Sequence, residues 1–453
     1  ADINGDKKVD VWLSGASGQS SKLFMQSADV SFQNTNNKLL ADLSENESLQ
    51  AVFFDLENDG DKDIYIVHGG AQFDSSTGLN KDHILVNENG SFSKSIELKD
   101  SNIDGQCVLA SDFNGDSYVD IFIGGRSVPG KYGIRADSKI LLNQAGQLED
   151  KTMEICPELK NIGMVTDAFA EDLDGDGDRD LVVTGEWLPI IIFENKNNKL
   201  IKVEAADDRQ YSAGWWWALE SGDFDNDGDI DFIAGNLGEN NKFKPEKEKP
   251  LSLYASDLDK NGDHDILLAK TANKQLLPVR GRECSSEEMP FIADKFKSYH
   301  DYAIADVKEI HAPEALKEST RHLAYTFSHF YYENTGQFKF KAHKLPAQTQ
   351  IGAIKSFELI DINEDGYLDF FYTGNHLAVE PETVRYDALS IGLCISDQKN
   401  GFNCLSREKL GVHETLDYRD MSVVYIDGRK LLFVSSNNGP LKTFIISGNA
   451  MTE

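Results

Sequence analysis

Seven times along the chain, oxygen-bearing side chains stand at positions 1, 3, 5 and 9 of a nine-residue stretch. The sets are Asp2, Asn4, Asp6 and Asp10; Asp55, Glu57, Asp59 and Asp63; Asp112, Asn114, Asp116 and Asp120; and Asp172, Asp174, Asp176 and Asp180. Then follow Asp223, Asp225, Asp227 and Asp231; Asp257, Asp259, Asn261 and Asp265; and Asp361, Asn363, Asp365 and Asp369. Hard cations take about six to eight oxygens, supplied by alternating side chains of a tight loop plus a backbone carbonyl. Gly60, Gly177, Gly228, Gly262 and Gly366, at position 6, permit the turn that brings position 9 back to the ion. A single stretch reads as readily as an acidic turn without metal. Repeated in register, each stretch gathers carboxylates whose mutual repulsion calls for a counter-ion. The expected ion is calcium, several times over, and its expected role is structural because every ligand set is self-contained.

These loops need strands on both sides. No helix flanks them; instead come short apolar runs such as Asp63–Val67, Asp120–Gly124, Asp180–Thr184, Asp231–Gly235 and Asp369–Thr373. Ile84–Gly90, Ile140–Gly146 and Phe330–Gly336 then read as strands entering a Gly turn, the mark of a second hairpin. One unit is therefore strand, acidic loop, strand, longer loop, strand, Gly turn, strand. Repeats of 45–60 residues with that content predict an all-β chain, a β-propeller of four-stranded blades. Units fall at about 2–46, 49–98, 105–152, 163–204, 211–270, 275–345, 350–408 and 416–447, which makes eight blades, with seven the near alternative. Spacings of 34 and 104 residues on either side of the sixth loop blur units five and six. The whole of 1–453 reads as one propeller. A helical insertion is expected over 283–320, from a capping-box pattern at Ser285–Glu288 and apolar residues from Phe291 to Ile310 at helical spacing. The first unit lacks an opening strand and the last a closing one, so the expectation is an N-terminus cut from a longer precursor.

Composition narrows the function classes. With 45 Lys+Arg against 76 Asp+Glu the formal charge is −31, a field that repels phosphate backbones and argues against nucleic acid. No run approaches the roughly 18 uninterrupted apolar residues of a membrane helix, so no transmembrane segment is expected. Five cysteines form no zinc spacing; Cys394 and Cys404 flank a turn and are open to a cross-strand disulfide, the alternative being five buried thiols. No nucleophile elbow, phosphate loop, zinc-protease helix or dinucleotide fingerprint occurs, which weighs against an enzyme without excluding one built from scattered residues.

The acidic loops, with strands ending in Gly-Gly or Gly-Asn, resemble FG-GAP (VCBS-type) repeats of integrin-α-like propellers. Gly124–Tyr132, Gly185–Pro189, Gly214–Trp217, Gly235–Gly238 and Met289–Phe296 further resemble the C-terminal half of large Bacteroidetes-type surface proteins related to the CRTAC/ASPIC-UnbV group. That resemblance implies an exported protein at the bacterial cell surface or outer membrane, and implies no activity. Ser117, where glycine is usual, and Glu57 depart from the loop pattern and point to weaker or different coordination there.

Propeller topology puts the acidic loops and Gly turns on one face and the longer, variable loops on the other. Candidate ligand residues on that second face are Arg126, Trp187, Asn236 and His376, with Arg280 joining from the start of the insertion. Arginine, amides and an exposed indole suit hydroxyl-rich ligands. The expected function is a calcium-stabilised surface propeller that binds a glycan or an outer-membrane or other surface protein. The alternative is a polysaccharide lyase or other carbohydrate-active enzyme on the same face, with Arg126, Arg280, His376 and Tyr132 as its cast.

Overall fold

The structure, a computed structural model, describes residues 1–27, 31–71, 77–98, 103–379, 384–448 and 450–452. Among the described residues there are eight antiparallel sheets, seven of four strands and one of three. The second blade shows the plan: Glu47–Phe54, Asp63–Gly69, His83–Glu88 and Ser91–Glu97 pair in chain order. Its second strand, Ile64-Tyr65-Ile66-Val67, is apolar without alternation because both of its faces are covered. Ile64 and Ile66 point back to Leu23 of the first sheet, while Tyr65 and Val67 point forward to Val108 and Ile121 of the third.

The same two-sided packing passes from blade to blade. It joins third to fourth through Phe122 and Leu181, fourth to fifth through Val182 and Phe232, and fifth to sixth through Ile233 and Phe370. Phe371 and Leu432 join sixth to seventh, and Phe433 meets Val11 and Phe32 of the first sheet, which closes the circuit. The chain is an all-β propeller.

The count of eight sheets resolves unexpectedly. Seven succeed one another round the ring, and the eighth is spliced into the fifth blade. That blade pairs Ala218–Gly222 and Asp231–Gly235 with the distant Phe330–Asn334 and Phe340–Lys344. Between its second and third strands the chain builds a separate sheet from Leu251–Ser256, Asp265–Ala272, Gln275–Pro278 and Thr320–Ala324. The uneven spacings follow: the sixth acidic loop belongs to the inserted sheet, so it does not share the face of the ring loops.

Five short helices, the first Arg282–Glu288 and the last Pro313–Glu318, lie between the last two strands of the inserted sheet. The capping box is at Asp306 and Glu309; Ser285, expected as the cap, sits inside the first helix. Tyr302, Val307 and Ile310 bury against Tyr254 and Leu267 of that sheet, whereas Tyr299 and Ile304 are exposed.

Two expectations at the chain's ends meet different outcomes. The acidic stretch Asp2–Asp10 precedes Val11–Leu13, the first strand of the three-stranded sheet. The seventh blade does have its closing strand, Ala450–Thr452, and its acidic loop is replaced by a two-residue hairpin turn, Asp427-Gly428, with both φ positive. Cys394 and Cys404 stand directly opposite each other in the sixth blade and are joined as a disulfide, while Cys107 and Cys156 are buried thiols. Among the described residues no helix is long and apolar enough to cross a membrane.

Candidate metal loops and the opposite face

The seven acidic stretches fold alike because their own side chains wire the backbone. In each, the N–H of position 6 donates to the position 1 carboxylate, as Gly60 to Asp55 at 2.8 Å and Gly177 to Asp172 at 2.9 Å. The N–H of position 7 donates to the position 5 side chain, as Asp178 to Asp176 at 2.9 Å. Positions 4 and 6 are left-handed throughout. Position 6 is Lys7 in the first loop and Ser117 in the third, at φ 63° and 72°. A non-glycine residue there costs about 1–2 kcal/mol; the wiring holds the turn regardless, with Ser117 N–H on Asp112 at 2.8 Å. Glu57 is a true departure: in the other loops position 5 N–H reaches the position 3 side chain, in most of them shared with position 1, whereas Asp59 N–H donates to Asp55 at 3.0 Å without reaching Glu57.

In three loops the oxygens of positions 1, 3 and 9 lie within 4.8 Å of one another: Asp172, Asp174 and Asp180; Asp223, Asp225 and Asp231; Asp257, Asp259 and Asp265. Such groups are able to hold a metal ion, with oxygen donors of the kind calcium takes. Position 5 stands outside this grouping, its side chain engaged by the loop backbone.

Position 9 carries a second duty that spacing alone did not reveal. Asp63, Asp120, Asp180, Asp231 and Asp369 are buried and accept two backbone N–H groups, one from position 2 of their own loop and one from the third strand. Asp231 adds the hydroxyl of Tyr331 at 2.7 Å. Burial first, then the neighbouring loop carboxylates, push the carboxyls of Asp120 up to about 6 and of Asp180 and Asp231 up to about 7, against the lowering effect of those N–H bonds.

The third strands add a clasp between blades. Asn87, Asn143, Asn195 and Asn334 are buried, and each Nδ2 donates to the position 2 carbonyl of the preceding blade: Ile3, Leu56, Phe113 and Leu173, at 2.8 to 3.0 Å. Each also reaches the position 8 carbonyl of its own loop. The recurrence of Asn before the Gly turn was the available signal, and it reads only as a turn until the neighbouring blade is in place. In the sixth blade Ser396 occupies that position: its N–H donates to Asp369 and its Oγ accepts from Gln398 N–H, without a bond to the preceding blade among the described residues.

At the other end of the strands the side chains differ from blade to blade. Arg126 donates to Glu186 at 2.7 Å, Tyr132 donates to the other Glu186 oxygen at 2.8 Å, and Trp187 Nε1 donates to Tyr132 at 3.0 Å. Burial raises the Glu186 carboxyl, but Arg126 and the hydrogen bonds outweigh it and hold the group below its ordinary value. Trp187, expected as an exposed platform, is 3% exposed with φ 62°, packed on Trp215 and His322. Asn236 is fully buried: its Oδ1 accepts from Trp215 and Leu237 N–H, and its Nδ2 donates to Thr326. Both are thus withdrawn from the surface by packing. Arg280 pairs with Glu288 at 2.5 Å within the insertion, apart from this group. His376 lies beside Trp217 and Lys355, and burial holds its imidazole down at about 4.

The inserted sheet docks on this end. His264 and His322 meet the carbonyls of Tyr132 and Gly133 at 2.8 and 2.7 Å, and a Cβ on Gly133 would strike Ala255. Toward the axis, where the first strands of successive blades pack side by side, Asp167, Glu220, Glu358 and Asp420 come together from four blades. Burial, then the neighbouring carboxylates, push Glu220 up to about 8; burial also raises Asp167 and Glu358 to about 7.

Residues 172–234 match the family model described as an FG-GAP-like repeat, a span from the fourth blade's acidic loop into the second strand of the fifth. The chain is a β-propeller carrying FG-GAP-like repeat sequence. No curated protein sequence matches the propeller. Among solved structures it is similar to the crystal structure of the V. cholerae biofilm matrix protein Bap1 (11% identity, TM-score 0.38, covering 96% of this chain and 83% of that one). It is likewise similar to the Dos1 propeller (10% identity, TM-score 0.39, covering 98% and 76%). These are distant likenesses; the order and packing of the sheets carry the fold.

Proposed function

We propose that this propeller is a calcium-stabilised extracellular binding module, which offers the face opposite its ring loops to a glycan or to an outer-membrane or other surface protein. The observation that carries the reading is the convergence of the position 1, 3 and 9 oxygens in three separate loops, two in the ring and one in the inserted sheet, each self-contained. FG-GAP-like repeats suit an extracellular binding role, and the Cys394–Cys404 disulfide suits an oxidising compartment. Location at a bacterial outer membrane, and kinship with the CRTAC/ASPIC-UnbV group, belong to the same proposal. The lyase alternative has less support: the Tyr132 hydroxyl is held between Glu186 and Trp187, and Arg280 pairs with Glu288, apart from Arg126 and Tyr132.

Two measurements test the reading. Metal analysis with melting curves, in calcium and in chelator, is expected to show bound calcium and a lower melting temperature after its removal. No bound metal together with superimposed curves would sink the metal half. Native affinity electrophoresis against neutral, carboxylated and sulfated polysaccharides, with each lane checked for cleaved sugar, is expected to show retardation without cleavage. Cleavage would make the protein an enzyme, and no retardation on any polymer would leave a protein partner, sought by pull-down from envelope extracts.

A further inference from the structure

Close to the axis on the face away from the ring loops, Trp217 stands between Arg126, which is ion-paired with Glu186 at 2.7 Å, and Lys355. The Arg126 guanidinium carbon is 5.6 Å and the Lys355 ammonium 5.0 Å from its ring centre. His376 packs 5.6 Å from the same ring, and Tyr386 stacks on His376 at 6.5 Å. In this group three buried donor atoms, Arg126 Nε, Trp217 Nε1 and Tyr386 Oη, have no hydrogen-bond partner among the described residues. Around these donors stand three cations, Arg126, Lys355 and Arg419, and two carboxylates, Glu186 and Asp417, the latter with a buried Oδ1 that accepts no hydrogen bond among the described residues. A buried donor without an acceptor carries its full desolvation penalty, so three such donors with one positive charge in excess are complementary to a guest that is rich in acceptors and carries a negative charge. Lys355 is weakly engaged: its ammonium meets His376 Nδ1 at 3.4 Å and Asp417 at 3.6 Å, both long for a charge-assisted bond. Burial favours its neutral form, a bias that a bound anion would reverse.

Arg126 is the member of this group that lines a cleft open to solvent, while the Lys355 side chain is buried. The Arg126 side chain is 34% exposed and lines a cleft of about 300 Å³ with Lys131, Tyr132 and His264, where the loop of the third blade faces the inserted sheet. With Arg126 paired to Glu186, Lys131 supplies the cleft's excess positive charge, a local feature set against the chain's formal charge of −31. A planar guanidinium suits a planar carboxylate, and aromatic faces suit sugar C–H groups.

We propose that Arg126, Trp217 and Lys355 receive the carboxylate of an acidic saccharide whose sugar ring occupies this cleft. The assignment rests on the binding-module reading and deepens it. The test is calorimetric titration of the full chain with an oligogalacturonide, the same oligomer methyl-esterified, a sulfated oligosaccharide and a neutral oligosaccharide. The acid is expected to bind, and the methyl ester, which keeps the sugar and loses the charge, to bind roughly tenfold more weakly or worse. Lys355→Met and Trp217→Phe are each expected to weaken acid binding by a similar factor, and the exposed Lys131→Ala, which is remote from the packed group, by a few-fold with an unchanged melting curve. Equal affinity for acid and ester, or acid binding untouched by all three variants, would overturn the site. Binding of only the neutral or the sulfated oligosaccharide would overturn it while leaving the glycan-binding reading standing. Binding of none of the four would overturn it as well, and the polysaccharide panel then decides whether the broader reading falls too.

Discussion

At the acidic end, Asp55, Asp112, Asp172, Asp223 and Asp361 each hold the N–H five residues on, and the buried aspartate at position 9 ties each loop to its third strand. At the other end, Arg126, Trp217 and Lys355 arrive from the third, fifth and sixth blades, and Lys355 has a like residue, Arg419, at the matching bulge of the seventh. The loops of the first end are wired by contacts within nine residues, so copying the sequence copies each oxygen set. The second is made of contacts across blades, so it exists only once. A repeat protein of this kind gains stability from the copied end and specificity from the unique one.

The widest break in that comparison is removal of metal. At about 2.7 kcal/mol per loop held a hundredfold above its Kd, emptying several loops in chelator is expected to lower the melting temperature by about 10 °C or more. The opposite face has no such dependence of its own, except where the sixth loop supports the inserted sheet.

Within one loop, position 9 and position 3 are expected to separate. Asp231→Ala strands Phe224 N–H, Asn334 N–H and the Tyr331 hydroxyl, and is expected to cost about 3–5 kcal/mol by denaturant unfolding even in chelator. Asp225→Ala is expected to stay within about 0.5 kcal/mol in chelator and to show its loss only in calcium. Equal losses in chelator would mean that position 9 is a ligand and nothing more.

The clasp gives a smaller effect. Asn143→Ala leaves the carbonyls of Leu56 and Val119 and the N–H of Gly146 without their partner, at an expected cost of about 2–3 kcal/mol. Ser396→Ala, at the matching place in the sixth blade, is expected to cost less than about 1 kcal/mol. The same denaturant series checks both.

The smallest effect is a pH slope from the axial carboxylates. The folded-state pKa of Glu220 is raised to about 8, above its unfolded value, so its contribution to stability is fully present below the unfolded pKa and is lost as pH rises through about 8. Wild-type stability is therefore expected to decline from pH 5 to pH 8. Glu220→Gln is expected to flatten that decline and to gain about 1–2 kcal/mol at pH 8, after allowance for screening by solvent in the channel. An unchanged slope would place the titrating charge elsewhere.

Legibility in the sequence followed contact range. The strand–loop–strand unit was readable because Ile64–Val67 and the acidic spacing are local patterns. The Cys394–Cys404 pairing was half readable, since a short hairpin opposes its flanks but sequence does not set the register. Trp187 and Asn236 misled: an indole and an amide after a strand look like surface chemistry, and only the docked inserted sheet and the Thr326 segment show them consumed inside. Units five and six were blurred because a sheet carrying its own acidic loop imitates a blade.

By itself, then, the sequence determined the repeated loops, their strands and the oxygen sets that converge within them, since those depend on backbone turns and side chains fewer than ten residues apart. Tertiary structure alone decided that seven sheets close the ring while the eighth is a graft, and that asparagines clasp successive blades. It alone gathered Arg126, Trp217 and Lys355 in one place. Those outcomes depend on which faces bury against which, a property of the assembled packing that no local spacing encodes.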